Sequence, residues 1–176
     1  INTLNRLIKS CSTFHTPRIK KLIMATGDGM VIMFLLNPEL PLRLSMELHQ
    51  QIQKYNQDVR PEDRIGVRIG LNSGPVFVSN DINNNKNLWG PGIVIARRVM
   101  DVGDDSHILI AGKLAEELIS LRDEYRVIIK PISEYTIKHG QDIQIYSAYS
   151  KDFGNPRLPD KIIEYIAVSY THLTLP

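Results

Sequence analysis

The chain has 176 residues, which is enough for one domain with a sizeable core. Hydrophobic residues make up 43% and charged residues 23%, and the formal net charge is only +2, so the composition indicates neither a nucleic-acid partner nor a membrane contact. Cys11 is the only cysteine, which excludes a disulfide framework and a cysteine-built metal site.

The apolar runs and the two ends of the chain lead to expectations about the location of the protein and the extent of the sequence. The longest apolar run, 30–36, is far too short to span a bilayer, and we expect a cytoplasmic location unless missing segments anchor the parent protein. Residue 1 is Ile and the first residues read as a helix already under way, so we expect a fragment. Residues 168–176 change character abruptly and resemble a translated sequencing adapter, which predicts a non-native tail.

The first third of the chain predicts a helix, a hairpin and a second helix. Residues 2–10 carry apolar side chains at helical spacing. Strands are expected near 20–26 and 30–36 around Gly27-Asp28-Gly29, because Asp-Gly between two β-prone runs is a strong hairpin signal. Residues 37–56 begin with proline and continue with an apolar stripe, which predicts an amphipathic helix of about five turns.

The middle of the chain alternates between strand and helix patterns. Residues 64–71 place apolar side chains at every second position, which predicts a long half-buried strand, and a short apolar run follows at 76–78. Residues 80–87 read as an asparagine-rich loop. A helix is predicted from Pro91 to Gly103, since proline favours the first turn and glycine the end of a helix.

The last segments complete a mixed fold. Residues 107–112 predict a short buried strand, 113–121 a helix, and 124–138 with 142–150 a terminal strand pair joined at His139-Gly140. Hairpins mixed with crossover helices indicate an α+β protein: a ferredoxin-like α/β sandwich with a mostly antiparallel sheet and helices on one face.

Four segments, in this order, resemble the class III nucleotidyl cyclase catalytic domain, the adenylate/guanylate cyclase homology domain. They are ATGDGMVIMF, VRIGLNSGPVFV, NLWGPGIVIARRVMDVGDDSHILIAG and YTIKHGQDIQIYSAY. The resemblance implies a cyclase homology domain over 1–150 that lacks its first strand, a C-terminal extension over 151–167 and the non-native tail over 168–176. It also implies the class III cyclase fold.

The resemblance implies a reaction and a metal site. In this family the ribose 3′ oxygen attacks the α-phosphate and expels pyrophosphate, with catalysis by two Mg²⁺ or Mn²⁺ ions. Asp28 matches the hairpin aspartate that holds the metals, although it could also serve only to form the turn. Gly27 and Gly29 would leave room for triphosphate oxygens. The first-strand aspartate would lie upstream of Ile1, so this fragment alone is expected to be inactive.

The positions that read the purine depart from the family pattern. Met24 stands where adenylate cyclases carry lysine and guanylate cyclases glutamate, and it can replace neither. Asn87 stands where aspartate is usual, and its amide offers both a donor and an acceptor. The choice between ATP and GTP stays open, with cyclic AMP favoured over cyclic GMP.

The positions that contact the triphosphate are only partly retained. The helix after Trp89-Gly90 keeps the family arginine as Arg98, but Val94 replaces the asparagine four residues earlier. Loss of one such donor typically costs about 10²–10³ in rate. Lys138 matches a lysine of the terminal strand pair, with Gly140 at the second lysine position.

Two functions therefore remain open at the level of sequence. The first is a nucleotidyl cyclase that makes a cyclic 3′,5′-nucleotide in intracellular signalling, acting as a homodimer with shared active sites. The second is a degenerate cyclase-homology module that dimerises or binds nucleotide without turnover, which Met24, Val94 and Gly140 favour.

Overall fold

A computed structural model describes residues 2–80, 82–137 and 141–173. Its helices are α1 Asn2–Ser10, α2 Glu39–Gln57, α3 Pro91–Val102, α4 Gly112–Leu121, α5 Asp123–Ile128 and α6 Asp160–Leu173, with short 3₁₀ turns at Thr13–His15 and Pro61–Asp63. Its strands are β1 Lys21–Thr26, β2 Gly29–Phe34, β3 Ile69–Leu71, β4 Phe77–Asn80, β5 Lys86–Trp89, β6 Ile108–Ala111, β7 Ile129–Ile137 and β8 Gln141–Ala148.

A four-stranded sheet in the order β3-β6-β8-β7 forms the centre of the molecule. Its β3–β6 pair is parallel, and the β6–β8 and β7–β8 pairs are antiparallel. Strands β1 and β2 form one separate antiparallel hairpin, and β4 and β5 form another. The α+β class expected from the sequence is confirmed.

Strand β6 lies between two apolar clusters. Ile108 and Ile110 pack with α4 and with Leu42 of α2. Leu109 and Ala111 point to the other face, where they pack with residues of α3 and α6. Helices therefore cover both faces of this strand, whereas the sequence predicted helices on one face. All four residues of β6 are apolar and buried, which is the pattern of a strand covered on both sides.

The strand predicted over 64–71 is shorter than expected. Regular pairing with β6 begins only at Ile69. Upstream, the side chain of Asn56 binds both backbone groups of Ile65, accepting from its N–H at 3.0 Å and donating to its C=O at 2.7 Å. The Asn56 amide thus takes the place of a neighbouring strand. The predicted alternation survives, because Ile65, Val67 and Ile69 all pack on the same cluster.

Helix α5 corrects a second prediction, since the terminal strand pair was expected to begin near residue 124. Asp123 and Glu124 occupy the first turn of the helix, where carboxylates are favourable. Tyr125 is buried and donates a hydrogen bond from its hydroxyl to Glu39 of α2 at 2.8 Å. This contact between distant segments outweighs the strand propensity of the local sequence.

The segment after β8 is tied closely to the rest of the domain. Phe153, Pro159 and Ile162 are all buried. The N–H of Gly154 donates to Nδ1 of His49 at 3.2 Å, and Nε2 of His107 lies 2.8 Å from the carbonyl oxygen of Arg157. Helix α6 continues past residue 168 to Leu173, across the boundary predicted for a non-native tail, and the division at that residue stays a prediction.

None of the helices in the described ranges has both the length and the apolar character that a bilayer crossing requires.

Candidate active site

The first hairpin turns at Gly27 and Asp28. Gly27 has φ +78°, whereas Asp28 has no positive φ, so only the first central residue needs the conformation that glycine adopts readily. This is the pattern of a type II′ turn. The sequence placed the turn chemistry on Asp28-Gly29, but Gly29 already pairs with Thr26 as the first residue of β2.

The turn leaves Asp28 exposed and accessible. A Cβ added to Gly27 would meet no atom within 4 Å, and one added to Gly29 would meet only Oγ1 of Thr26 at 3.5 Å. Both glycines therefore border open space, and their predicted place beside triphosphate oxygens stays a prediction. Asp28 serves as a turn residue and also presents its carboxylate at the end of the hairpin.

The described ranges do not complete a site for two metal ions. An exposed carboxylate such as Asp28 is a suitable ligand for Mg²⁺ or Mn²⁺, which bind through one or two carboxylates together with substrate phosphates. Across residues 2–80, 82–137 and 141–173, however, no three His, Cys, Asp or Glu side chains lie close enough together to hold an ion. The role of Asp28 as a metal ligand therefore stays a prediction.

The two predicted purine-reading positions lie next to each other. Sδ of Met24 accepts a hydrogen bond from the N–H of Leu88 at 3.4 Å, which joins β1 to β5 directly beside Asn87. Asn87 pairs with Ser79 as part of β5, rather than in the loop predicted over 80–87, and its side chain is exposed. The fold therefore brings Met24 and Asn87 together although they lie far apart in sequence.

The start of α3 is fixed by close backbone packing. The N–H of Gly92 donates to the carbonyl oxygen of Pro75 at 2.9 Å, and the side chain of Asn72 donates to the carbonyl oxygen of Gly92 at 3.0 Å. A Cβ on Gly92 would lie only 2.8 Å from Pro75 O, so a larger residue would push the helix away. The sequence analysis missed Asn72 as the anchor; its only sequence signal was an amide next to a buried strand.

Arg98 and Val94 lie four residues apart on α3 and share a helix face. Val94 is 46% exposed, so it does not serve as core packing, and Arg98 is half-buried. Near the same helix start, the rings of Phe77 and Trp89 stack at 4.8 Å, and both remain about half exposed. Lys138 and Gly140 lie outside the described residues, and their predicted roles stay predictions.

A separate polar cluster joins α2 to α5 and was not predicted. Glu39 accepts hydrogen bonds from Arg122, Arg43 and the Tyr125 hydroxyl. The hydrogen bond from Arg122 is the main reason that the pKa of Glu39 lies below its usual value. A groove of about 680 Å³ lies beside this cluster, and its lining includes Arg43, Tyr125 and Phe153. These residues are structural, and none belongs to the candidate site.

Residues 1–148 match the family model of the adenylate and guanylate cyclase catalytic domain. The match spans most of the chain, and the protein therefore belongs to this family of nucleotidyl cyclase domains. No protein of curated function matches the chain.

Solved structures share the same fold. The guanylate cyclase domain of RhGC from Catenaria anguillulae, in complex with GTP, has 20% identity and a TM-score of 0.63, with 85% of this chain and 81% of that chain covered. The adenylyl cyclase CyaB from P. aeruginosa has 15% identity and a TM-score of 0.62, with 87% and 81% covered. A dimeric guanylyl cyclase domain of the RhoGC fusion protein from Blastocladiella emersonii has 20% identity and a TM-score of 0.59, with 85% and 82% covered.

Proposed function

We propose that this cyclase domain converts a nucleoside triphosphate, ATP in preference to GTP, into the cyclic 3′,5′-monophosphate and pyrophosphate, and so serves in intracellular signalling. The ribose 3′ oxygen forms a bond to the α-phosphorus. The bond between the α-phosphorus and the oxygen that bridges it to the β-phosphate breaks, and pyrophosphate leaves with that oxygen. The proton of the 3′ hydroxyl passes to solvent or to a nearby base. The observation that carries the proposal is the exposed carboxylate of Asp28 on a two-residue hairpin turn with open space beside Gly27.

Asp28 would bind Mg²⁺ or Mn²⁺ as one ligand of the two-ion site. When bound, such ions neutralise charge on the phosphate oxygens and the leaving pyrophosphate. Among the described residues we assign this binding role to Asp28 alone.

Two cationic side chains would act on the triphosphate. Arg98 points from the third turn of α3, and a guanidinium binds two phosphate oxygens at once. Lys138 would add a second positive charge from the turn of the terminal strand pair. Asn87 would contact the purine through its exposed amide, and Met24 beside it would offer only apolar contact.

A homodimer with shared active sites fits the exposed apolar surface around α3. Phe77 and Trp89, whose ring centroids lie 4.8 Å apart near the start of α3, are each roughly half exposed although they are large and apolar. Exposed clusters of this kind usually mark protein interfaces. The guanylyl cyclase domain of the RhoGC fusion protein from Blastocladiella emersonii is described as a non-canonical dimer, and we extend only the dimeric state to this chain as part of the proposal.

The second candidate function is a domain that dimerises or binds nucleotide without turnover. The exposed Val94 favours it, because an apolar side chain on the Arg98 face cannot donate to a ribose or a phosphate. Met24 favours it as well, since its sulfur is engaged by the Leu88 amide and cannot read a purine.

One assay separates the two functions. The natural full-length protein is incubated with ATP or GTP and Mn²⁺, and cyclic nucleotide and pyrophosphate are measured. We expect product from the parent and a loss of at least about a hundredfold in Asp28→Ala, because charge stabilisation at phosphate is lost. Asp58→Ala removes an equally exposed aspartate at the end of α2 and is expected to keep full activity.

The other outcomes are also decisive. Nucleotide binding without any cyclic product would establish the second function. Product that survives unchanged in Asp28→Ala would overturn the role of this hairpin. Absence of nucleotide binding, of product and of dimers together would refute both functions.

A further inference from the structure

The end of the first hairpin opposite Asp28 exposes leucines beside cations. We call this surface the hairpin base and define it by Arg18, Lys20, Leu35 and Leu36. Leu36 is fully exposed and Leu35 is 39% exposed. Arg18 and Lys20 are exposed as well. Apolar and cationic side chains thus share one protruding end of the molecule.

The backbone holds these two segments together. The N–H of Leu35 donates to the carbonyl oxygen of Lys20 at 3.1 Å, directly after the pairing of Phe34 with Lys21. Leu36 has φ +66° and Arg18 has φ +63°, a conformation that bulky side chains rarely adopt. Both residues therefore combine an unfavourable backbone conformation with an exposed side chain, so neither recovers that cost by packing within the chain.

The N-terminal sequence that leads into the hairpin base carries charge of one sign. Residues 1–27 contain Arg6, Lys9, Arg18, Lys20 and Lys21 and not one Asp or Glu. The net charge of the whole chain hides this asymmetry, because the acidic residues all follow from Asp28 onward.

The nearest carboxylate after the hairpin is already engaged. Glu39 is bound by Arg43 and Arg122, and its side chain is only 17% exposed. It therefore does little to offset the cations of the hairpin base in solution.

We propose that the hairpin base docks the domain onto an anionic lipid surface. Leu35 and Leu36 enter the boundary between headgroups and acyl chains, and Arg18 and Lys20 remain at the level of the phosphates. A lipid surface fits better than nucleic acid, because the two exposed leucines beside the cations could bury their side chains among acyl chains but not against a phosphate backbone. Docking here leaves Asp28 at the far end of the hairpin, accessible to solvent.

The test uses sedimentation of the 176-residue chain with sucrose-loaded vesicles, one set of pure phosphatidylcholine and one with phosphatidylserine added. Binding is expected for the anionic set and is expected to weaken as salt rises. Replacing both leucines by serine should lower the partition coefficient at least about tenfold, as expected for loss of apolar burial. Arg18→Ala and Lys20→Ala should each lower it about fivefold.

Leu121→Ser is the matched control, because Leu121 is 53% exposed at the end of α4. It should bind like the parent chain, and circular dichroism of every variant checks the fold. Equal binding to both vesicle sets, or unchanged binding of the double serine variant, overturns the proposal. Dimers that form without vesicles and depend on Leu36 would instead assign the surface to a second copy. Nucleotide turnover enters none of these readouts, so the outcome is independent of the proposed function.

Discussion

The central sheet and the two hairpins differ in how far their side chains are buried. Ile108, Leu109 and Ile110 of β6 have no exposed surface at all. All four residues of β4, in contrast, are exposed, and the hairpin turn at Asp28 borders open space. The sheet thus contributes much of the stability of the domain, while strand β4 and the turn of the first hairpin present side chains that gain little from folding. Residues of the second kind are retained for contacts with other molecules.

The largest expected effect is a loss of stability from a substitution in the central sheet. Ile110→Ala removes a fully buried side chain between α4 and β8, and we expect a loss of about 3 kcal/mol in the free energy of unfolding, measured with urea. Val78→Ala shortens a comparable side chain that is 48% exposed on β4, and its effect should stay within about 0.5 kcal/mol. Similar losses in the two variants would contradict the division between sheet and hairpins.

A moderate loss of stability is expected at acidic pH. Burial, together with the nearby His107, lowers the pKa of His49 to about 4, so this imidazole is neutral in the folded protein. Its usual pKa of about 6.5 returns on unfolding, so the unfolded chain takes up a proton that the folded one does not. Stability is therefore complete above about pH 6.5 and declines as the pH falls toward 4, by about 2 kcal/mol at pH 5.

Urea unfolding at pH 7 and pH 5 measures this decline. In His49→Gln, the glutamine carbonyl can still accept the hydrogen bond from Gly154, so the contribution of His49 to the pH dependence should vanish while the contact remains. His15→Gln changes an exposed histidine and should keep the slope of the parent. A slope that persists in His49→Gln would assign the acid sensitivity to another group.

The smallest expected effect tests whether the first hairpin takes part in purine recognition. Met24→Lys places an ammonium beside Asn87 and removes the sulfur that accepts from Leu88. One added hydrogen bond to adenine should raise the ratio of ATP to GTP affinity by about tenfold, measured with fluorescent nucleotide analogues. Lys20→Met makes the reverse exchange at the hairpin base and should leave that ratio unchanged. An unchanged ratio of ATP to GTP affinity in Met24→Lys would show that this position takes no part in purine recognition.

The sequence predicted what depends on local pattern and missed what depends on distant partners. The first hairpin, α2, α3 and β6 follow from periodicity and turn residues within each segment. Helix α5 could not be predicted this way, because Tyr125 is held by Glu39 of another helix. Likewise, no local signal reveals that the Asn56 side chain replaces a strand at Ile65.

The candidate site shows the same division. Asp28 and Gly27 were recognisable because turn chemistry is local, although the turn centre lies one residue earlier than predicted. The proximity of Met24 to Asn87 arises only when β1 meets β5. The roles of Arg98 and Lys138 rest on the resemblance and await the assays above.

The contacts of the segment after β8 bear on where this domain can be cut. The matched family range ends at residue 148, yet Phe153, Pro159 and Ile162 lie inside the packed interior. A chain shortened to that limit would open a cavity and leave Nδ1 of His49 without its donor. The packed unit is therefore longer than the matched family range, and expression limits are better drawn beyond Ile162.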